Sequence, residues 1–162
     1  IGDVIEERVD EEFQILLDST GNEDLNDFEK LRLRERAWRL VTQRSGQNTF
    51  RKVLLSAYSE RCVVSRSNVI QGLEAAHISP YDGPASNVPT NGLLLRADIH
   101  RMFDAGLLGI EPDDYTAVLS PSLRNKSIAR HEGQRIIFPE KEVMNPNRRL
   151  LEEHLELAMS YW

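Results

Sequence analysis

The chain has 162 residues, enough for one domain with a hydrophobic core and an appendage, and 40% hydrophobic with 28% charged residues is a globular composition. No apolar run approaches the roughly 20 residues that a membrane span requires, and no signal peptide is visible. The single cysteine, Cys62, excludes an internal disulfide, so we expect a cytoplasmic protein with no membrane partner. Because the sequence begins with Ile1 instead of Met, we also expect a piece of a longer protein.

The net charge of −6 is unevenly distributed along the chain. Residues 1–30 carry 11 acids and 2 bases, whereas residues 31–66 carry 9 bases and 2 acids, a net charge of +7. Residues 67–162 return to a net charge of −4. The segment 31–66, called the basic block below, is therefore expected to provide a surface that meets nucleic-acid phosphates.

Two amphipathic helices are predicted before residue 45. Residues 3–18 place Ile5, Val9, Phe13, Leu16 and Leu17 on one face and acids on the other. This helix either packs on its own domain, forms a homodimer, or joins a neighbouring domain. Residues 24–44 form the second helix, whose Arg36 and Arg39 are candidate phosphate contacts. The alternative for these arginines is a solvated charged face.

Ser45-Gly46 predicts a helix stop, and Asn48 is a plausible N-cap for a third helix over residues 49–58. Arg51 and Lys52 are expected to point outward and to contact nucleic acid. Cys62-Val63-Val64 is predicted to be a short strand, with Cys62 a buried structural thiol.

The last third of the chain predicts short strands and one helix. The strands are expected at residues 109–110, 115–119 and 134–139, and a helix capped by Asn147 over residues 148–161. His131 and His154 fall in this part, and we expect both to be structural or exposed.

The stretch from Leu73 to Gly106 has the pattern of a site. A short strand ends in His77, a loop rich in Pro, Gly, Ser and Asn follows, and a second apolar run at 93–95 leads into a helical pattern from residue 98. Asn91 lies 14 residues after His77 and 9 before His100. This order of strand, loop, strand and helix, with His77, Asn91 and His100 at those positions, is typical of a functional site.

This stretch resembles the HNH nuclease family. The matching residues are Ala-Ala-His-Ile at 75–78, Asn-Gly-Leu-Leu-Leu-Arg at 91–96 and Asp-Ile-His-Arg-Met-Phe-Asp at 98–104, and Gly46-Gln47-x-x-Phe50-Arg51 extends the likeness upstream. The resemblance covers roughly residues 44–125 and is greatest for bacterial restriction and defence enzymes. It implies an α+β fold: a ββα-metal nuclease domain at 45–162, with C-terminal strands and a helix. Residues 1–44 would be a helical extension that serves as a linker or dimerisation element.

The resemblance also implies roles for the site residues. His77 would be the general base, since an unperturbed histidine pKa is about 6.5. Asn91 would brace the loop and orient that base, and His100 would complete the catalytic set. His100 and Asp104 are four residues apart on a predicted helix and can chelate one divalent ion. Mg²⁺ or Mn²⁺ is expected first, with Ni²⁺ or Zn²⁺ as alternatives. Arg96 and Arg101 would hold the scissile phosphate.

One departure concerns the residue before the base, where many HNH enzymes carry an Asp or His ligand and this chain has Ala76. Glu74 is a weak candidate for replacing that ligand. The expected activity is hydrolysis of double-stranded DNA by a metal-dependent nuclease module, with a fused or partner domain that selects the target. The alternative is a DNA-binding or assembly module that kept the fold without turnover. A nuclease acting on RNA is a third possibility.

Overall fold

A computed structural model describes the backbone of residues 2–21 and 25–162. It describes the side chains of residues 7–21, 25–37, 40, 41, 44 and 46–162. The side chains of Ile5 and Arg39, for which the sequence predicts roles, are not among these residues. The chain divides into two compact units, residues 1–48 and 49–162. None of the described helices contains a stretch apolar and long enough to cross a membrane.

The first unit contains helix α1, Gly2–Thr20, and the larger part of helix α2, Asp27–Ala57. Helix α2 starts with a capping box, because the Glu29 amide donates to Asn26 Oδ1 at 3.0 Å and the Asn26 amide donates to Glu29 Oε2 at 2.9 Å. The apolar stripe of α1 packs against α2, and the shared core consists of Val9, Leu16, Ala37 and Val41. Among the alternatives for α1, the structure therefore shows packing within its own unit.

The second unit is built on a hairpin followed by a helix. Strands β1, Leu73–His77, and β2, Gly92–Arg96, pair antiparallel, with Leu73 opposite Arg96 and His77 opposite Gly92. Helix α3, Ala97–Asp104, follows β2 without a break. The hairpin is anchored by three consecutive leucines of β2, Leu93, Leu94 and Leu95, which have no exposed surface. This strand–strand–helix order confirms the predicted α+β class and ββα unit.

The remaining elements cover this unit. Strands β3, Leu108–Ile110, and β4, Ala117–Leu119, form a second antiparallel pair. Helix α4, Arg148–Met159, begins at the predicted cap, since Asn147 Oδ1 accepts from the amides of Arg149 and Leu150. β3 packs closely on α4, and the contact requires Gly109 because a Cβ at this position would clash with Leu155.

Three local predictions were wrong. Helix α2 continues through Ser45 and Gly46 to Ala57, so Asn48 lies within a helix and caps nothing. The strand expected at 62–64 does not form, because residues 63–65 make a turn, although the Val63 amide donates to the Leu94 carbonyl as a strand neighbour would. Of the strand expected at 134–139, only the isolated bridge between Thr116 and Arg135 forms.

Gly92 is required by the packing of α2 on the hairpin. A Cβ at this position would lie 2.7 Å from both Leu54 Cδ1 and Phe50 Cζ. We expect Gly92→Ala to lower the free energy of unfolding by about 1–3 kcal/mol, the usual cost of overpacking a core. Urea unfolding measures this change. Gly72→Ala is the matched control, because a Cβ there meets nothing within 4 Å. Equal stability of the two variants would contradict the packing role of Gly92.

Candidate active site

The hairpin and α3 position the candidate site residues. β1 carries Glu74 and ends with His77, the loop from residue 78 to Asn91 returns the chain to β2, and α3 carries His100 and Asp104. Asn91 lies immediately before β2, opposite the end of β1. The predicted residues are thus distributed over one strand, one loop end and one short helix.

His77 is held on three sides. Its Nε2 lies 2.8 Å from Asn87 Oδ1, and its ring stacks on Phe50 with centroids 4.4 Å apart and planes 14° apart. The ring edge of Tyr81 approaches at 5.7 Å. Within the described part of the chain, Nδ1 of His77 has no hydrogen bond. One ring nitrogen is therefore fixed and the other is left for a small molecule such as water.

The side chain of Asn91 is hydrogen-bonded to the loop between the two strands. The residue is only 5% exposed, and its Nδ2 donates to the carbonyls of Ser79 and Ser86 at 3.3 and 3.1 Å. Its Oδ1 accepts from the Ser79 amide at 2.9 Å, and its own carbonyl accepts from the Ile78 amide. The amide group thus ties both ends of the loop together, but the residue that contacts His77 directly is Asn87.

His100 lies between two carboxylates. Its Nδ1 is 2.7 Å from Glu74 Oε2 across to β1, and its Nε2 is 3.3 Å from Asp104 Oδ2 one turn further along α3. Because the two ring nitrogens face different carboxylates, Glu74 and Asp104 contact opposite edges of the ring. Glu74 therefore lies where an orienting group would, with Asp104 on the side where an ion would share His100 Nε2.

The imidazole of His100 and the carboxylate of Asp104 are suitable ligands for a divalent ion, but they are only two donors. No group of three or more His, Cys, Asp or Glu side chains among the described residues is arranged to hold a metal. This agrees with the geometry at His100, where the imidazole and Asp104 supply two donors and Glu74 faces the other nitrogen. Ala76, at the position where the family resemblance implies a ligand, has no exposed surface. An ion held by His100 and Asp104 would need water or phosphate oxygens to complete its coordination.

The structure places the candidate residues in two groups. Among the described residues, no hydrogen bond, ion pair or ring contact joins the His77 group, consisting of His77, Asn87, Phe50 and Tyr81, to the His100 group of Glu74, His100 and Asp104. Both groups begin on β1, three residues apart. The two groups could therefore act together only on a substrate that contacts both of them.

The two arginines beside the site differ in their partners. Arg96 binds Asp98 through two hydrogen bonds of 2.6 and 2.8 Å, and this pairing raises the pKa of Arg96 and lowers the pKa of the Asp98 carboxyl. Arg101 is exposed on α3, with a 3.5 Å contact from Nη1 to the Ala97 carbonyl. Of the two, Arg101 has more freedom to meet a phosphate.

The basic block divides into paired and exposed side chains. Arg51 donates to the carbonyls of Leu73 and Ile70 at 3.1 and 2.9 Å, so the expectation that it points outward is wrong. It connects α2 to the start of β1. Lys52 and Arg36 are exposed as predicted, and the side chain of Arg39 lies outside the described residues. In the first unit, Arg34 and Arg44 pair with Asp10 and Glu12 of α1.

The two remaining histidines and the cysteine are packed within the fold. His131 is 6% exposed and its Nδ1 lies 3.1 Å from Gln134 Oε1. His154 stacks on Phe103 at 3.7 Å, and burial lowers its pKa. Cys62 is fully buried, and its Sγ accepts from the amides of Ser65 and Arg96, each at 3.3 Å. Both histidines and the thiol therefore serve packing.

Sequence reasoning missed Asn87 and Tyr81. Both lie in the loop between the strands, where no periodicity marks a residue that faces inward. The available signal was weak: Asn87 is one of two asparagines in a short Pro-rich loop that starts directly after the predicted base.

Comparison with known proteins supports the assignment of this segment. A family model described as HNH endonuclease, HNH_2, matches residues 62–111, about a third of the chain. No curated protein matches the chain. The matched segment contains β1, the loop, β2, α3 and β3, and with them both groups of candidate residues apart from Phe50. Through residues 62–111, the chain is therefore similar to the HNH endonuclease family.

Proposed function

We propose that this protein is a metal-dependent endonuclease that hydrolyses phosphodiester bonds in double-stranded DNA. The match of residues 62–111 to the HNH endonuclease model suggests nuclease activity and a DNA substrate, and such nucleases generally use divalent metal ions. The observation that carries the proposal is the environment of His77. One of its ring nitrogens is held by Asn87 and the other has no hydrogen bond in the described part of the chain.

His77 acts as the general base in this proposal. Its Nδ1 takes a proton from water while the water oxygen forms a bond to phosphorus and the bond from phosphorus to the leaving alcohol breaks. Asn87, Phe50 and Tyr81 keep the ring in one orientation. Asn91 holds the loop that carries Asn87 and Tyr81. Arg101 is the candidate that meets the scissile phosphate.

His100 and Asp104 are the residues that would hold the ion. The chemistry that a divalent ion would supply there is neutralisation of phosphate charge and stabilisation of the leaving oxygen. Glu74 fixes the His100 ring through Nδ1, so that Nε2 is presented on the same side as Asp104. Mg²⁺ or Mn²⁺ suits a site completed by water and phosphate oxygens. Ni²⁺ and Zn²⁺ suit the imidazole.

A nicking assay on supercoiled plasmid tests this function. We expect relaxed circles to accumulate with Mn²⁺ or Mg²⁺, and we expect a chelator to stop the reaction. Adding excess metal after the chelator should restore it, which separates metal removal from inactivation. Competition with double-stranded RNA and single-stranded DNA tests the substrate class. Intact plasmid under all metal conditions would contradict the proposed activity.

A non-catalytic DNA-binding module is the second candidate function. It is favoured by Ala76, which is buried without exposed surface at the position where relatives carry a metal ligand. The same assay decides between the two candidates. DNA binding measured by a gel shift, together with the absence of nicking that depends on metal, would support the binding module.

The resemblance to restriction and defence enzymes carries the finer part of the proposal. In such enzymes a separate domain selects the target, so we propose that this chain cleaves without sequence preference unless a fused or partner domain recruits it. A cytoplasmic location is part of the same proposal. Sequencing the ends of nicked plasmid would reveal any intrinsic preference.

Binding to duplex DNA is expected to depend strongly on salt. If about five phosphates are neutralised, log K falls against log salt with a slope of about −4 to −5. Arg36→Glu, at an exposed position of the basic block, should reduce the magnitude of that slope by about one. Arg124→Glu makes the same charge change at an exposed position outside the block and should leave the slope unchanged. Equal slopes for the two variants would show that the basic block faces away from DNA.

A further inference from the structure

We infer that Asn87 is a positioning residue that selects the tautomer of His77, an inference that rests on the proposed function of this site. The contact is a 2.8 Å hydrogen bond between His77 Nε2 and Asn87 Oδ1. An amide oxygen can only accept a hydrogen bond, so the Nε2 of a neutral ring must carry the proton. The lone pair of the ring is then on Nδ1, the nitrogen that has no partner among the described residues.

Of the contacts made by the His77 ring, the hydrogen bond to Asn87 is the one that determines the tautomer. Phe50 stacks on one face of His77 and Tyr81 approaches with its ring at 63° to the imidazole plane, so aromatic contacts limit tilting of the ring. Neither aromatic contact distinguishes Nδ1 from Nε2, whereas Asn87 contacts Nε2 alone. Among the described residues with a hydrogen bond or ring contact to His77, Tyr81 is the titratable one, and none of them forms an ion pair with the ring.

Asn87 connects the bracing asparagine to the base. Asn91 Nδ2 donates to the carbonyl of Ser86, the residue directly before Asn87, at 3.1 Å. The Asn87 amide donates to the Pro84 carbonyl at 3.2 Å, which closes a short 3₁₀ turn over 84–86. Asn91 thus fixes the backbone on which Asn87 stands and acts on His77 through it. The role in orienting the base is divided between two asparagines of one loop.

The first measurement reads the tautomer without any catalysis. Long-range ¹H–¹⁵N correlation of the full chain, with the His77 signal assigned by its loss in His77→Ala, identifies the protonated nitrogen at neutral pH. We expect Nε2–H in the parent protein and a mixture of both tautomers in Asn87→Ala. In Asn87→Asp, which keeps an acceptor, the Nε2–H form should persist. A parent protein with Nδ1–H would overturn the inference.

The second measurement is the pH dependence of plasmid nicking. We expect Asn87→Ala to lower kcat by about 10²-fold, less than the roughly 10⁴-fold loss when the orienting carboxylate of a serine-protease triad is replaced by an amide, with the KM for DNA unchanged. Asn87→Asp should keep activity at high pH and lose it at a higher pH than the parent, because a carboxylate favours the protonated ring. Ala85→Asp adds the same charge at an exposed position of the loop and should keep the parent profile.

The two measurements distinguish the possible failures. If Asn87→Ala folds, as judged by thermal unfolding, and keeps both the tautomer and the kcat of the parent, Asn87 does not position the base. If Asn87→Asp and Ala85→Asp shift the pH profile equally, the effect is one of general charge and the inference is overturned. A parent protein that shows the Nε2–H tautomer but never nicks DNA supports the contact and contradicts the proposed function.

Discussion

His77→Ala is expected to reduce plasmid nicking by about 10²–10⁴-fold, the usual contribution of a general base. The reason is local: the substitution removes the Nδ1 that would take the proton from water, and the surrounding Asn87, Phe50 and Tyr81 offer no other base at neutral pH. DNA binding in the presence of chelator should remain close to that of the parent. Initial rates of nicking and gel-shift titrations measure the two effects separately.

Chemical rescue makes this prediction sharper. The lost ring leaves a space beside the Phe50 face, and free imidazole that enters it should restore part of the nicking by His77→Ala. His131→Asn is the matched control, because His131 is buried, its hydrogen bonds are to Arg130 and Gln134, and an amide can replace its contact with Gln134. It should nick like the parent. Near-parental nicking by His77→Ala would remove His77 from the role of base.

The central part of the fold was predictable because its pattern is strong. β1, β2 and α3 were expected from an apolar run that ends in His77, a loop of turn-forming residues, and a second apolar run that continues into a helical period. The clearest part of the pattern is the run of three leucines that predicts β2, and all three are fully buried in the structure. Asn147 was recognisable as a cap because an asparagine directly precedes the helical pattern of α4.

The errors occurred where tertiary contacts outweigh local propensity. A glycine within a helix costs only about 1 kcal/mol, and α2 continues past Gly46 because Phe50 and Leu54, further along the same helix, are buried against the hairpin. Arg51 was expected to be exposed because it is charged. The carbonyls of Ile70 and Leu73 that bind it are about 20 residues away in sequence, and no local pattern reveals them.

The candidate site shows the same division. The spacing of His100 and Asp104 placed both on one helical face, and the structure brings their side chains within 3.3 Å. Glu74 was considered only as a substitute ligand, and its position on the Nδ1 side of His100 depends on how α3 lies over β1. Asn87 was missed because a loop without periodicity does not tell which side chain turns inward.

The second large effect is expected at the ion site. Asp104→Asn should raise the Kd for Mn²⁺ by at least about 10-fold, because it removes the charged donor from a site with two protein donors, and outer-shell substitutions alone typically cost 10–100-fold. Glu74→Gln should weaken binding by about 10–100-fold, since it loosens the His100 ring without removing a donor. Calorimetric titration with Mn²⁺ measures affinity without relying on catalysis. Asp82→Asn removes a carboxylate from the exposed loop and serves as the control.

Asp104→His should separate the roles of charge and geometry. The variant keeps a donor one turn from His100, so metal-dependent nicking should persist, with the preference shifted from Mg²⁺ towards Ni²⁺ or Zn²⁺, which bind imidazole better. Parental titration curves for Asp104→Asn in both affinity and nicking would make Asp104 no more than a helical partner of His100. The ligands would then have to be sought elsewhere, with Glu74 first.

Ala76→Asp is the variant that decides whether the missing ligand can be restored. The family resemblance implies an acidic residue or a histidine as an ion ligand at this position, but here Ala76 has no exposed surface. A buried carboxylate without a partner is costly, so we expect Ala76→Asp to be less stable than the parent without metal. If the carboxylate reaches an ion held by His100 and Asp104, Mn²⁺ should raise the melting temperature of this variant more than that of the parent. An equal rise for both proteins would show that position 76 faces the core and that the two-donor site is the complete protein contribution.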